Sequence, residues 1–444
     1  MTLLKAIESI FSVFSILFFS DVILPVLFEQ GVSWPSIFLR YIPYIIQIIT
    51  LFLLIFYRKN IFKPLLKEKF LWLFLFISIT SIFWSDFPIA TLRFIIRLIQ
   101  MTTFGIYLAG RYSRKDQLNL LLCSFGIATL LSLVFGLALP GYGIMGMGNI
   151  VNPENATHEG AWRGVFNHKN TLGRTMVLTS LISSFFALSN KQFRLIGLSI
   201  CGLSICLTIL STSKTSLIIL ITLIILFPFY KALRWSYTVA LPFLIISIQI
   251  VAGTCILFLG NAEIIAGALG KDLTFTGRTD IWMLVFEKIQ SRPILGYGFG
   301  GFWRGMKGES GDLWTELKWA IPHSHNGFLD VVLDLGLIGL ILFSLTLLAV
   351  ALRSIKLVRT SKSDGEIYPL MYLTFLILFN LTESSIVILN SIWIIFVTIV
   401  LSTHETFDSH EFVRKSYYKK EESSNHKILR NSLPKDYDFN NING

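Results

Sequence analysis

The chain has 444 residues, of which 53% are apolar and only 15% charged, with a mean hydropathy of +0.66. An ordinary soluble globule carries about a quarter charged residues, so this composition excludes one and points to a polytopic membrane protein. The net charge of +11 calls for no nucleic acid, because the positive residues gather in short loops and in the C-terminal tail, where anionic membrane lipids attract them.

A helix needs about 20 apolar residues to cross roughly 30 Å of hydrocarbon. Runs of that kind predict an all-α polytopic membrane protein with about 12 transmembrane helices. They fall at 7–28, 37–57, 70–84, 88–110, 117–139, 171–189, 195–211, 216–230, 236–259, 326–352, 368–384 and 386–402. Phe28-Glu29-Gln30 closes the first run without a small-residue cleavage site, which predicts a retained anchor rather than a signal peptide. With the N-terminus in the cytoplasm, Arg58/Lys59/Lys63/Lys67/Lys69, Arg111/Arg114/Lys115, Lys191/Arg194, Lys231/Arg234 and Arg353/Lys356/Arg359/Lys362 all fall on the inner side. The other side receives two long segments, about 140–170 and 260–325, the larger lying between helices 9 and 10. Residues 1–402 therefore read as one transmembrane domain and 403–444 as a polar, disordered cytoplasmic tail. Chemistry is expected on the outer face.

In the fourth run Arg93 and Arg97 stand one turn apart. A charge at mid-membrane costs roughly 2.5–3.5 kcal/mol, so both are expected to face the bundle interior or a polar cavity and to contribute to substrate binding. Arg174 and Lys214 lie near the outer ends of their helices and could snorkel. Cys123, Cys201, Cys206 and Cys255 fall inside helices and suggest neither disulfide nor metal ligand. No fixed repeat and no inverted pair of broken helices is visible, which weakens a transporter reading.

The outer segments hold the polar residues of interest. Arg163 and His168-Lys169-Asn170 precede a helix start, where free N–H groups and the helix dipole would add to a phosphate site; the alternative is a solvated loop. Asn155-Ala156-Thr157 fits a glycosylation acceptor only by chance. Arg278 could grip a phosphate or simply pair with Asp280. Asp280–Ile289 is too short and charged to span but suits an amphipathic helix lying on the interface. Gly296-Tyr297-Gly298-Phe299-Gly300-Gly301-Phe302-Trp303 reads as a flexible aromatic stretch, either for stacking on sugars or for an interfacial belt.

His323-Ser324-His325-Asn326 then opens the tenth run. Histidine meets the need for a base near ambient pH without special tuning, so His325, flanked by His323 and Asn326, is the candidate general base; a helix cap is the bland alternative. His323-x-His325 could also hold a metal, but no third ligand is evident.

His325-Asn326 followed by Gly336-Leu337-Ile338-Gly339, after a large outer loop, resembles the histidine motif of the O-antigen ligase and Wzy-type polymerase superfamily. Trp162–Gly173 looks like a stretch of its exopolysaccharide-polymerase branch. Thr276-Gly277-Arg278 and Ser213-Lys214-Thr215 also resemble family patterns, the family often carrying arginine where Lys214 stands. The resemblance covers roughly residues 70–400. It implies periplasmic glycosyl transfer from an undecaprenyl-diphosphate-linked glycan in the bacterial inner membrane, without metal, nucleotide sugar or other cofactor. The acceptor would be a lipid-linked or core-linked glycan, with a flippase and a chain-length regulator as possible partners. His325 would be the base. Arg163, His168, Lys169, Asn170, Arg174, Lys214 and Arg278 would hold the diphosphate and glycan, with His323, Asn326, Arg93 and Arg97 completing the expected binding set. Polymerase is the first expectation, ligase to lipid A core the second and a lipid-linked glycan transporter the third.

Overall fold

The computed structural model describes residues 3–22, 33–147, 158–260, 276–384, 386 and 389–404. The expected N-terminal junction at Phe28, the acceptor-like Asn155 and the polar tail from Glu405 lie outside the described residues. The helices are α1 (Leu3–Phe19), α2 (Ser33–Lys67), α3 (Lys69–Thr80), α4 (Pro88–Arg111), α5 (Arg114–Ala138), α6 (Lys169–Ser189), α7 (Arg194–Leu210), α8 (Lys214–Ala232), α9 (Tyr237–Gly260), α10 (Thr276–Ser291), α11 (Ser310–Leu317), α12 (Gly327–Thr360), α13 (Tyr368–Asn380) and α14 (Ser391–Ser402). No strand occurs among the described residues; Ile144 and Trp162 make an isolated bridge.

Among the described residues each of the twelve apolar runs overlaps a helix, though not all are long enough to span. Among the described residues, α4, α5, α6, α8, α9 and α12 are long and apolar enough to cross a membrane, whereas α3, α7 and α14 are shorter apolar helices. The eleventh and twelfth runs do not abut as helices. The chain from Leu381 to Asn390 is irregular where it is described, because Asn390 caps α14 by accepting from the Ile392 amide at 2.9 Å.

Packing follows the small residues. α6 packs on α7, α4 lies between α2 and α14, and α3 lies on α12. Gly105 of α4 stands so close to Val397 and the Ile394 carbonyl of α14 that a Cβ there would lie 2.9 Å from both, a close approach typical of helices packed in a bilayer. The basic loop residues collect at one end. Arg114 pairs with Glu366, Lys231 and Arg234 with Asp364, and Arg353 with Glu68, which also meets His404. The starts of α6, α8 and α12 lie at the opposite end.

α12 is not continuous. Gly336 has φ +64° and ψ −167°, and the helix breaks there. The groups freed by the break are satisfied by the chain from Pro293 to Gly298. Leu337 N–H donates to Pro293 O at 2.8 Å, while Leu333 O and Asp334 O accept from Tyr297 and Gly298 at 2.8 and 2.9 Å. Irregular backbone is tolerated near a membrane only when protein satisfies it in this way.

That docking corrects two expectations. α10 does not lie free on a surface, because Ile281 and Val285 are buried in a core with Tyr297, Phe302, Leu313, Ile321 and Leu333, while Met283 and Phe286 stay exposed. The aromatic stretch is not a flexible sugar platform either. Tyr297, Phe299 and Phe302 are buried, since the glycines let the chain turn inward and donate hydrogen bonds to its neighbours. Gly300 N–H donates to the Asp334 carboxylate at 2.7 Å.

Candidate functional site

At the end opposite the basic loops, a cleft of about 560 Å³ opens between the start of α6, the α7–α8 turn, α10, the histidine loop and the segment after α13. Eight of the twelve residues singled out from sequence line it: His168, Lys169, Asn170, Arg174, Lys214, Arg278, His323 and His325. They come from chain segments separated by up to about 150 residues, yet their side chains share one space.

Local chemistry fixes the histidine loop. Asn326 is the N-cap of α12, its Oδ1 accepting from Phe328 N at 3.0 Å and Leu329 N at 3.3 Å, so it holds the helix start and is itself buried. Ser324 Oγ donates to Asn326 O at 2.8 Å, and Trp282 Nε1 of α10 donates to Ser324 O at 2.9 Å. His325 has φ +55°, a left-handed conformation uncommon for a residue with a side chain and frequent at functional sites. Thr212, across the cleft, has φ +52°.

The imidazoles differ. His323 Nδ1 accepts the His325 N–H at 3.1 Å, and His168 Nδ1 accepts the Asn170 N–H at 3.2 Å as the N-cap of α6. A ring that accepts at Nδ1 carries its proton on Nε2 and is neutral. Burial acts the same way: it pushes His323 down to about 3, aided by the neighbouring His325, and His168 down to about 4, against the pull of Glu383. His325 Nδ1 is buried, makes no hydrogen bond and faces Glu383 Oε2 at 3.7 Å. That distance is an electrostatic contact rather than a hydrogen bond.

Glu383 was not foreseen. Its carboxylate receives Asn170 Nδ2 at 3.0 Å and lies 3.8 Å from Arg278 Nη2, so Arg278 pairs with it and not with the exposed Asp280. Burial alone would raise this carboxyl; the electrostatic contact with the His325 ring and the guanidinium of Arg278 outweigh it and hold Glu383 well below the ordinary carboxylate range. The available clue was one acid in Leu381-Thr382-Glu383-Ser384, at the end of the eleventh apolar run. Glu383 also supplies the third group that the His323-x-His325 pair lacked: the three place candidate ligand atoms within 4.8 Å of one another. Arg278 beside Glu383 and Arg174 at the same cleft make that position poor for a dication.

Asp330 was missed as well. It is buried in the first turn of α12 and accepts from Trp303 Nε1 at 2.9 Å, Ser324 N at 3.2 Å and Ser384 Oγ. The aromatic loop, the histidine loop and the segment bearing Glu383 thus meet on one carboxylate. His158 and Trp319 line the cleft too, Trp319 with 41% exposure at its rim.

Four expected binding residues lie elsewhere. Arg163 is buried, with its Nε donating to Tyr142 O at 2.7 Å, and does not line the cleft; it ties the loop before α6 to the turn after α5. Asn326 acts as the cap already described. Arg93 and Arg97 are exposed on α4 rather than turned into the bundle, because the inward positions of that helix are taken by Thr91, Ile95, Leu98 and Met101.

A cleft that gathers four cations, a histidine backed by a carboxylate and an aromatic rim, at the end of an apolar helical bundle, suits an anionic lipid-linked sugar. Residues 199–344 match the O-antigen ligase family, Wzy_C. The match takes in Lys214, Arg278, His323 and His325, and it bears out the resemblance drawn from the histidine motif. The chain is 26% identical over 309 residues to the exopolysaccharide production protein ExoQ of Rhizobium meliloti (strain 1021), covering 67% of this chain and 68% of that protein. It is 38% identical over 95 residues to a putative polysaccharide ligase of Rickettsia felis, covering 20% of this chain and 23% of that protein. A putative polysaccharide ligase of Rickettsia prowazekii is 35% identical over 124 residues, 27% of this chain and 30% of that protein. The chain is thus similar to O-antigen ligase-type membrane proteins of polysaccharide biosynthesis.

Proposed function

We infer that the protein is a multi-pass enzyme of the bacterial inner membrane that polymerises undecaprenyl-diphosphate-linked repeat units into exopolysaccharide or O-antigen on the periplasmic face. The observation that carries this is the shared cleft of His325, Glu383, Lys169, Arg174, Lys214 and Arg278. The basic loops at the other end support its outward orientation.

In the proposed reaction an acceptor sugar hydroxyl attacks the anomeric carbon of the donor glycan. The bond from that carbon to the diphosphate oxygen breaks as the new glycosidic bond forms, and one displacement inverts the anomeric configuration. An Nδ1–H of His325 directed at Glu383 leaves Nε2 to take the hydroxyl proton. Lys169, Arg174, Lys214 and Arg278 receive the charge that grows on the departing diphosphate, in a site where preorganised cations are worth more than in water. His323 and His168, both neutral, can donate Nε2–H to phosphate or sugar oxygens. Trp319 offers an apolar face for a sugar ring. With these cations in place, the reaction is assigned as metal-independent.

The extent of similarity to the exopolysaccharide production protein supports polymerase over ligase, since it spans two thirds of both chains, whereas the ligase-named relatives match shorter stretches. The transporter reading is disfavoured because the flagged cations collect in one cleft at one end.

His325→Ala is the test. With purified protein in vesicles and a lipid-linked repeat unit as donor and acceptor, the wild type is expected to extend the glycan and the variant to be slower by about 10²–10⁴-fold at unchanged abundance. Near-normal extension by the variant removes His325 as base, and movement of donor without bond formation by the wild type removes the enzyme assignment.

A further inference from the structure

The cleft accounts for one diphosphate, and α4 carries cations that it does not use. Trp84 Nε1, just before α4, donates to Leu295 O at 3.0 Å, and Asp86 pairs with Arg292 at 2.9 Å, so the start of α4 lies at the cleft end of the bundle. At about 1.5 Å per residue, Arg93 lies roughly 7 Å and Arg97 roughly 13 Å beyond Pro88 along the helix. Both are exposed and one turn apart. Two exposed guanidinium groups at that depth are costly against hydrocarbon and call for an anion, and lipid phosphates sit near the boundary of the hydrocarbon layer.

Asp21, just past the end of α1, feels the charges of both Arg97 and Arg174, and Arg174 lines the cleft. The cleft keeps Lys169, Arg174, Lys214 and Arg278, and α4 keeps Arg93 and Arg97.

We propose that Arg93 and Arg97 form a second anion site, which takes the phosphate headgroup of the lipid carrying the acceptor glycan. The proposal rests on the polymerase reading. When both substrates are lipid-linked, two diphosphates must stand close together, and like charges so placed repel unless each has its own cations. The cleft binds the diphosphate that departs, while the α4 pair binds the one that stays on the growing chain. Recognition is of phosphate, through the paired donors of arginine, and not of the sugar.

The experiment compares acceptors, with donor held constant. Full-length wild type and Arg93→Ala/Arg97→Ala protein in vesicles are given the repeat unit on undecaprenyl diphosphate, the same glycan free in solution, or the glycan acceptor on lipid A core. For each protein the readout is kcat/KM for the lipid-linked acceptor divided by that for the free glycan. This ratio cancels differences in folding, abundance and donor binding.

The expected result is a fall of at least tenfold in the ratio for the undecaprenyl-diphosphate acceptor, carried by KM, with partial recovery in Arg93→Lys/Arg97→Lys. An unchanged ratio overturns the proposal, as does an equal loss with the free glycan. A fall confined to the lipid A core acceptor also overturns it, assigning the phosphate to lipid A. If the wild type joins no glycan to any of the three, it is the polymerase reading that fails, not the α4 site.

Discussion

Glu383 sits where His325, His323, Asn170 and Arg278 converge, and its charge serves two of them at once. It faces His325 Nδ1 at 3.7 Å and Arg278 at 3.8 Å, so a single carboxylate contacts both the imidazole and the guanidinium. Loss of its charge with retention of its shape separates these effects from packing. Glu383→Gln is expected to lower kcat by about 10²-fold while KM for the donor changes less, because the histidine loses its orienting partner but the remaining cations still bind diphosphate. Initial-rate kinetics over a range of donor concentrations decide it. A rise in KM with unchanged kcat would assign Glu383 to substrate binding instead. At this same scale the sequence was partly readable. His325, Lys169, Arg174, Lys214 and Arg278 belong to polar motifs at helix starts, but Glu383 and Asp330 are single acids in apolar surroundings, and what they do depends on segments distant in sequence.

Among the elements, α12 shows how a break is built and used. Gly336 has φ +64°, and a Cβ there would lie 2.0 Å from Ile294 O, so the position forbids a side chain on both conformational and steric grounds. The break frees carbonyls and amides that pair with Pro293, Tyr297 and Gly298, which anchors the segment after α10 on α12. Gly336→Ala is expected to destabilise the protein by about 2 kcal/mol or more, since strain and a backbone clash add. A thermal scan in detergent, with membrane abundance in parallel, measures it. An unchanged midpoint would mean that the loop docks without the break. The apolar periodicity showed α12 as one long run; the break became visible only with its docking partner.

For the whole molecule, acid sensitivity follows from the buried imidazoles. The ordinary histidine value is 6.5, and in the folded protein His168 and His323 stand at about 4 and about 3. Because the folded values are depressed, the unfolded chain binds more protons below pH 6.5, and stability is lost as pH falls from there toward the folded values. Glu383, also depressed, adds its own loss below its ordinary value of 4.5. The thermal midpoint is therefore expected to decline between pH 7 and pH 5, and His323→Gln, which does not titrate, to flatten part of that slope. A midpoint that rises toward pH 5 would contradict neutral, buried histidines.

The membrane class, the helical runs, the grouping of basic loops at one end and the resemblance carried by the histidine motif were legible in the sequence itself. Those features rest on local composition: hydrocarbon thickness sets a run length, headgroup charge sorts loops, and a short motif keeps its spacing. The tertiary structure alone decided that Arg163 ties a loop instead of lining the cleft, that Arg93 and Arg97 face outward, that the aromatic stretch is buried, and that Glu383 backs His325. Each of these depends on which residues far apart in the chain share one small volume, and periodicity along a single helix contains no information about that.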